Sequence, residues 1–334
     1  MATDDPETDD PGMKPPADRL GTSTFTIEGR QAPALFVIGW IATILGFGLV
    51  AVAILSGGAP LAGPLLVVGL VLLAIGLIAG AGSQGIERRA RGGLRYAGPS
   101  PLLVFAASIP VSILVGVVLA IPLSLVGVAL DGAFGSLLAV SIQAIVYVAI
   151  VRLLVVDTGA LDWHAMGIRR LDGTAVREMG GGALAAIPVI AATTVVSAIL
   201  LRFFPVTPVS PLPPTGEALG FALSLLAGVI IAPLGEEILF RAFATTAWVR
   251  SLGERRGIVT AALVFALAHV LTINGTGAGE AFGLAVVGFG ARVPVALALG
   301  WLFVRRGTIW ASFGLHAAFN AVLLILAEVA NRAL

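Results

Sequence analysis

Long apolar runs separated by short polar connections set the plan of this chain. They recur at about the 20 residues a helix needs to cross a bilayer. The runs cover 34–55, 60–82, 101–125, 133–156, 180–204, 217–240, 257–273, 281–304 and 308–330. The pattern predicts an all-α, polytopic transmembrane helix bundle of nine spans, or eight if one short run is re-entrant or not a true span. Ahead of the first run, residues 1–33 carry Asp4, Asp5, Glu7, Asp9 and Asp10, followed by Pro15 and Pro16. This composition predicts a disordered acidic tail. It is not a secretory signal, because the leading charges are acidic and the apolar run starts too late and is too long.

The stretch 205–216, with five prolines, cannot be helical and predicts an extended connection. It divides the membrane part into a five-span region, 34–204, and a second region, 205–334. The placement of positive charge predicts orientation. With the N-terminus inside, sixteen of the twenty Lys and Arg residues fall in inner segments, from Lys14 to Arg306, and only Arg202 and Arg332 fall outside. Arg241 and Arg292 lie within or at the edge of spans.

Composition narrows the class further. A mean hydropathy of +1.02 with 12% charged residues excludes an ordinary soluble domain. Forty-two glycines suit close helix packing in lipid. The absence of cysteine excludes disulfides, thiolate ligands and a cysteine nucleophile. Basic residues are scattered between spans and form no patch, which argues against a nucleic-acid partner. The partners to expect are the lipid bilayer and a peptide or membrane-protein substrate; the sequence sets no oligomeric state. An Arg-rich, Lys-poor, Cys-free composition suggests a prokaryotic source and a multi-pass protein of a bacterial plasma membrane.

Against this apolar background, ionisable groups inside spans mark a functional site, because charge within a bilayer is costly. Three pieces stand out: Glu236-Glu237-x-x-x-Arg241, Phe265-x-x-x-His269 and His316-x-x-x-Asn320. Successive residues of a helix point about 100° apart, so Glu236 and Glu237 cannot both face one point. Glu237 and Arg241, at i,i+4, can pair along one face. Glu236 is then the freer carboxylate, in a poorly hydrated setting suited to a general base. Pro233 and Gly235 are expected to bend or open the helix and admit water or an extended peptide. Phe265 shares a face with His269. His316 and Asn320 can present a donor or acceptor pair to one point, as an oxyanion hole requires. Counting about 1.5 Å per residue from the inner ends puts His316 roughly 12 Å deep and His269 somewhat deeper, with Glu236 in the inner half.

Taken together and in order, these motifs resemble those of the CPBP family, intramembrane proteases related to the type II CAAX prenyl endopeptidases. Their pattern is E-E-x-x-x-R, F-x-x-x-H and H-x-x-x-N or D, matched here over 236–320. The resemblance implies that Glu236 is the catalytic glutamate, with Glu237 and Arg241 completing its motif. It further implies that His269 helps to activate water, and that His316 and Asn320 stabilise the oxyanion. Family members are also described as metalloproteases. Glu236, His269 and His316 would make a zinc set with an open fourth position, in which case Glu237 would have to act as base while paired to Arg241. The alternative is a metal-independent glutamate protease.

Other readings are weighed against this one. No His-Glu-x-x-His, Gly-x-Ser-Gly or Gly-x-Gly-Asp element occurs, which sets aside zincin-type, rhomboid-type and presenilin-like hydrolases. A non-proteolytic scaffold or immunity protein on the same fold would keep the motifs without needing them for cleavage. A transporter would predict inverted repeats, and none is visible. Among the remaining polar residues, His164 is expected at the membrane interface beside Trp163. Arg292 must snorkel, pair or face a cavity. Glu280 and Glu328, near outer ends, are expected to be solvated. Gln143 and Arg152 are assigned to helix contacts.

Overall fold

The protein is described by a computed structural model that covers residues 26–207, 212–271, 273 and 275–333. Most of the acidic tail and part of the proline-rich connection therefore lie outside the described residues. Nine helices follow in order, and no strand occurs among the described residues. They are α1 (Pro33–Leu55), α2 (Ala62–Arg91), α3 (Pro101–Leu125), α4 (Ala133–Val156), α5 (Gly173–Phe203), α6 (Ala218–Leu252), α7 (Glu254–Ala268), α8 (Ala278–Arg306) and α9 (Ile309–Ala333). All but α7 are long and apolar enough to cross a membrane.

Local chemistry sets the boundaries. Pro33 and Pro101 stand in the first turns of α1 and α3, where a missing N–H costs nothing. Asp172 caps α5 by accepting the N–H groups of Thr174 and Ala175 at 2.9 Å each. Gly253, with φ of +84°, is the whole connection between α6 and α7. Only glycine turns there at no steric cost, and the turn sends α7 back alongside α6.

The basic residues gather at one end of the bundle. Arg88, Arg89, Arg91 and Arg95 lie at or just beyond the end of α2, Arg250 with Arg255 and Arg256 flank Gly253, and Arg305 and Arg306 close α8. The connection 157–172 is fastened to the same end. There Ile309 N–H donates to the Gly167 carbonyl at 3.1 Å, and Trp310 Nε1 donates to the Arg169 carbonyl at 3.1 Å. His164 is exposed in this connection, remote from the buried acids. The opposite end carries the start of α8, where Gly279 and Gly283 face Phe203–Thr207 across a shallow cavity.

Of the two counts that the sequence left open, nine or eight, the described residues give eight membrane helices. The run 257–273 was expected to span, but its helix is 15 residues long, about 22 Å, and stops at Ala268. That falls short of a hydrocarbon core of about 30 Å. The described residues between it and α8 are not helical, and Thr276 N–H donates to the Glu280 carboxylate at the start of α8. The chain still passes from the basic end to the opposite end, but as a short helix followed by a connection whose described residues are not helical. Such backbone is tolerated at membrane depth where it lines a site or is covered by protein. Here it begins at His269.

Glu328 also departs from expectation. It is not solvated: its side chain is 4% exposed, and its carboxylate accepts Thr215 N–H and pairs with Arg332, both at 2.9 Å. It fastens the connection before α6 to α9, which stabilises the end remote from the basic residues.

The core lies between α3, α4, α6, α7 and α8. Phe240 is its hub, with its ring 5.4 Å from Phe105, 6.3 Å from Tyr147 and 5.2 Å from Phe265. Edge-to-face and tilted contacts of this kind add to apolar burial. They form a rigid aromatic layer beside the glutamates.

Candidate active site

Helix α6 carries the acids on unusual backbone. Leu226–Ile231 and Glu237–Thr245 are wound as wide π-turns, with i→i+5 bonding, on either side of Ala232–Glu236. Pro233 supplies the cause for the first of these. It donates no hydrogen bond and its ring crowds the preceding turn, so the chain widens ahead of it. The helix stays continuous from Ala218 to Leu252, so Pro233 widens it without breaking it. The freed backbone is satisfied from outside, because Asn320 Nδ2 donates to the Gly228 carbonyl at 2.8 Å.

Gly235 does not open the helix either. A Cβ there would lie 2.7 Å from both Cα and Cβ of Ala144. The missing side chain lets α6 close onto α4 and sets Glu236 beside it.

The two glutamates diverge. Glu237 is fully buried, and its Oε1 receives His316 Nδ1 at 2.9 Å and Arg241 Nε at 3.6 Å. The Arg241 guanidinium lies over the Phe265 ring at 3.9 Å, so its charge faces a carboxylate on one side and an aromatic face on the other. Glu236 points elsewhere, with Oε2 lying 3.7 Å from His269 Nε2 and 3.6 Å from His316 Nε2. The imidazole of His316 thus bridges the consecutive acids through its two nitrogens.

Hydrogen bonds assign the tautomers. His269 Nδ1 lies 2.8 Å from the Phe265 carbonyl, which can only accept, so Nδ1 carries the proton. His316 Nδ1 faces the Glu237 carboxylate and donates likewise. In the neutral form of each ring, Nε2 then turns a lone pair toward the Glu236 carboxylate. Three acceptors from α6, α9 and the end of α7 converge on one point, an arrangement complementary to a donor such as water. The Phe265 ring is 4.4 Å from His269 and 5.8 Å from His316, and it fixes the planes of both.

Accessibility divides the same set. Glu237, Arg241 and His316 are sealed, whereas the side chains of Glu236 and His269 are 16% and 24% exposed. The opening therefore lies on the Glu236–His269 side.

As a zinc set, Glu236, His269 and His316 have the right donor types, and each imidazole is oriented through Nδ1 as metal ligands usually are. Their spacing is wider than the metal requires. Tetrahedral zinc holds its nitrogen and oxygen ligands about 3.3 Å apart, against the 3.6 and 3.7 Å found here. Among the described residues no three His, Asp or Glu side chains are grouped as a metal site.

Residues 218–322 match the family model for Rce1-like type II CAAX prenyl endopeptidases. The Rce1-like segment is about a third of the chain and runs from the start of α6 to the middle of α9. It contains all seven motif residues and agrees with the CPBP resemblance of the sequence. No curated protein and no solved structure matches the chain. With eight apolar helices, the match supports an integral multi-pass membrane protein of the intramembrane endopeptidase type.

One neighbour of the site was not singled out by sequence, and a second, Arg292, was expected to snorkel, pair or face a cavity. Tyr147, on α4 and outside the Rce1-like segment, packs edge-on against Phe240 in the aromatic layer beside the glutamates. Its hydroxyl accepts from Gln143 Nε2 at 2.8 Å, which leaves its own proton free to donate. The signal was present as two polar residues at i,i+4 within a span, but Gln143 was read only as a helix contact. Arg292, on α8, donates from Nη1 to the Gly288 carbonyl at 2.9 Å and forms no ion pair within 4 Å among the described residues.

Proposed function

We propose that the protein is an intramembrane endopeptidase whose nucleophile is a water activated by Glu236 and His269. The basic end, with the N-terminal tail, faces the cytoplasm, a reading supported by the segregation of arginine. The observation that carries the mechanism is the convergence of one carboxylate oxygen and two imidazole lone pairs within 3.7 Å.

Glu236 takes a proton from water as its oxygen attacks the scissile carbonyl carbon. The C–O bond forms while the carbonyl oxygen becomes anionic. The proton held by Glu236 passes to His316 Nε2, and the resulting imidazolium is stabilised by Glu237 as a buried carboxylate stabilises a catalytic histidine. Nε2–H then donates to the oxyanion. Collapse of the tetrahedral intermediate breaks the C–N bond; the proton on His316 Nε2 passes through the Glu236 carboxylate to His269 Nε2 and from there to the leaving amine, which leaves Glu236 ionised and both imidazoles neutral. No step runs through a metal. The expected outcome for purified protein in liposomes is cleavage of a quenched membrane-inserted peptide that persists with a strong zinc chelator present. His269→Ala is expected to lower kcat by about 10²-fold or more. Loss of cleavage on chelation, or full activity of His269→Ala, would refute this mechanism.

Asn320 has a different part. One N–H of its amide goes to the Gly228 carbonyl, so it braces the π-turn and thereby helps to aim Glu236. Asn320→Ala should cost about 1–3 kcal/mol in thermal stability, as expected when a buried carbonyl loses its donor. Its kcat should fall by less than about 10-fold. A fall of about 10²- to 10³-fold with stability unchanged would instead mark Asn320 as an oxyanion donor.

A further inference from the structure

At the basic end, the first turns of α7 and the last turns of α8 leave a groove between them. Glu254, Arg255, Ile258 and Val259 line it from α7, and Leu297 and Trp301 from α8. Its cavity is about 400 Å³, within the range of sites that take small molecules. The helices meet at its floor, where Ile258 is buried and a Cβ built on Gly300 would lie 3.3 Å from Ile258 Cγ2. Val259 and Trp301 stay exposed on its flanks. Charge is confined to one end of the groove. Arg255 stands in the first turn of α7, and the Arg305 guanidinium lies 5.9 Å over the Trp301 ring. Arg306 pairs with Glu178 at 3.4 Å, whereas among the described residues Arg255 and Arg305 form no ion pair. Glu254 lines the same mouth, so two guanidinium groups against one carboxylate leave it net positive. From that mouth α8 runs inward by about 12 Å between Arg305 and Leu297, and the walls along this stretch are apolar.

We propose that this groove binds one acidic phospholipid, with its phosphate between Arg255 and Arg305 and an acyl chain along Ile258, Val259, Leu297 and Trp301. The two halves of such a lipid call for the order found here, with cations at the membrane surface and apolar walls below. Guanidinium groups recognise phosphate through paired N–H donors and are weakly hydrated. Basic pockets between membrane helices on the cytoplasmic side suit anionic headgroups, and this mouth takes one cation from each helix. Trp301 suits the boundary, because an indole sits where headgroups give way to hydrocarbon. An anion without a chain would leave the apolar walls uncovered. Helix α7 gains most from the lipid. It is too short to span, and a phosphate shared by Arg255 and Arg305 ties its first turn to the end of α8. The helix so held is the one whose C-terminal cap is His269. The groove includes none of the glutamates or histidines of the site, so lipid binding there holds whether or not the protein cleaves peptides.

The test uses full-length protein in phosphatidylcholine nanodiscs, into which phosphatidylglycerol or phosphatidylcholine with brominated acyl chains is introduced. Bromine quenches a nearby indole, and the Trp301 signal is the difference between each protein and the same protein carrying Trp301→Phe. Brominated phosphatidylglycerol should quench Trp301 at roughly 10- to 30-fold lower mole fraction than brominated phosphatidylcholine, the gain expected from two arginines beside one anionic headgroup. Arg255→Gln with Arg305→Gln should remove that preference and leave the unfolding temperature in pure phosphatidylcholine unchanged, since both side chains are exposed. Arg95→Gln with Arg256→Gln removes the same charge from the same end but outside the groove, and should keep the preference. Equal quenching of the wild-type protein by the two lipids overturns the assignment. An equal loss of preference in the two double variants does so too, because the effect would then belong to the general surface charge. Stronger quenching by brominated phosphatidylethanolamine, whose ammonium Glu254 would take, also overturns it. So does displacement of the brominated lipid by a neutral prenylated peptide as readily as by unlabelled phosphatidylglycerol, which would give the groove to a substrate.

Discussion

Glu236→Gln should abolish peptide cleavage, with a loss of about 10³-fold or more, while leaving the bundle folded. Gln preserves volume and shape but cannot accept the proton that the water must lose, and a positioned general base contributes about 10²- to 10⁴-fold on its own. The surroundings make this substitution a clean one. Glu236 Oε2 faces two imidazole nitrogens at 3.6 and 3.7 Å, both carrying lone pairs in the tautomers fixed by Phe265 and Glu237. A Gln amide offers N–H donors to those lone pairs, so thermal stability should be equal or slightly raised. Cleavage is read with a quenched peptide in liposomes, and folding by thermal unfolding and monodispersity in detergent. A variant that keeps a tenth or more of the wild-type rate would remove Glu236 from the chemistry. The same substitution in a membrane of the source cell would retain uncleaved substrate for identification.

Breaking the Glu237–Arg241 pair should have the largest effect on stability. Both side chains are sealed, and each compensates the other's charge at 3.6 Å. Removing one partner of a buried pair strands the other charge and costs about 3–5 kcal/mol. Glu237→Ala and Arg241→Ala should therefore each lower the unfolding temperature sharply or prevent accumulation of folded protein. The double substitution Glu237→Gln with Arg241→Met should be less damaging than the sum of the two losses by about 1–3 kcal/mol. In that variant the Gln carbonyl still accepts from His316 Nδ1, and the Met fills the space of the arginine stem against Phe265. Stability should recover, but catalysis should not. His316 would have lost the carboxylate that stabilises its imidazolium, and kcat should remain about 10²-fold or more below wild type. Strict additivity of the two substitutions would show that the pair does not act as a unit.

What could be read along the chain followed from local rules. The length of apolar runs gives membrane helices one at a time, and eight of the nine expected runs form helices long enough to span. The i,i+4 rule gives contacts within one helix, so Glu237 against Arg241 and Phe265 beside His269 were visible as spacings. The run 257–273 misled because apolar residues continue past Ala268 although the helix does not, and hydropathy registers the side chains without the backbone that carries them. Glu328 misled because nearness to a helix end suggests water, whereas Thr215 and Arg332 close over it.

The sequence by itself determined that this is a membrane bundle, which end of each helix carries its arginines, and which few ionisable residues lie within spans. Those properties depend only on side-chain type and on a period that repeats every few residues. The tertiary structure alone decided that His316 joins the two glutamates, that Asn320 donates to Gly228, and that Tyr147 packs on the aromatic layer beside them. Each of these relations links different helices, or turns whose width departs from the regular period. It depends on which helices become neighbours and how closely they approach, and Gly235 against Ala144 sets one such approach. Helical periodicity carries no information about that choice, because it is made by packing across the whole bundle.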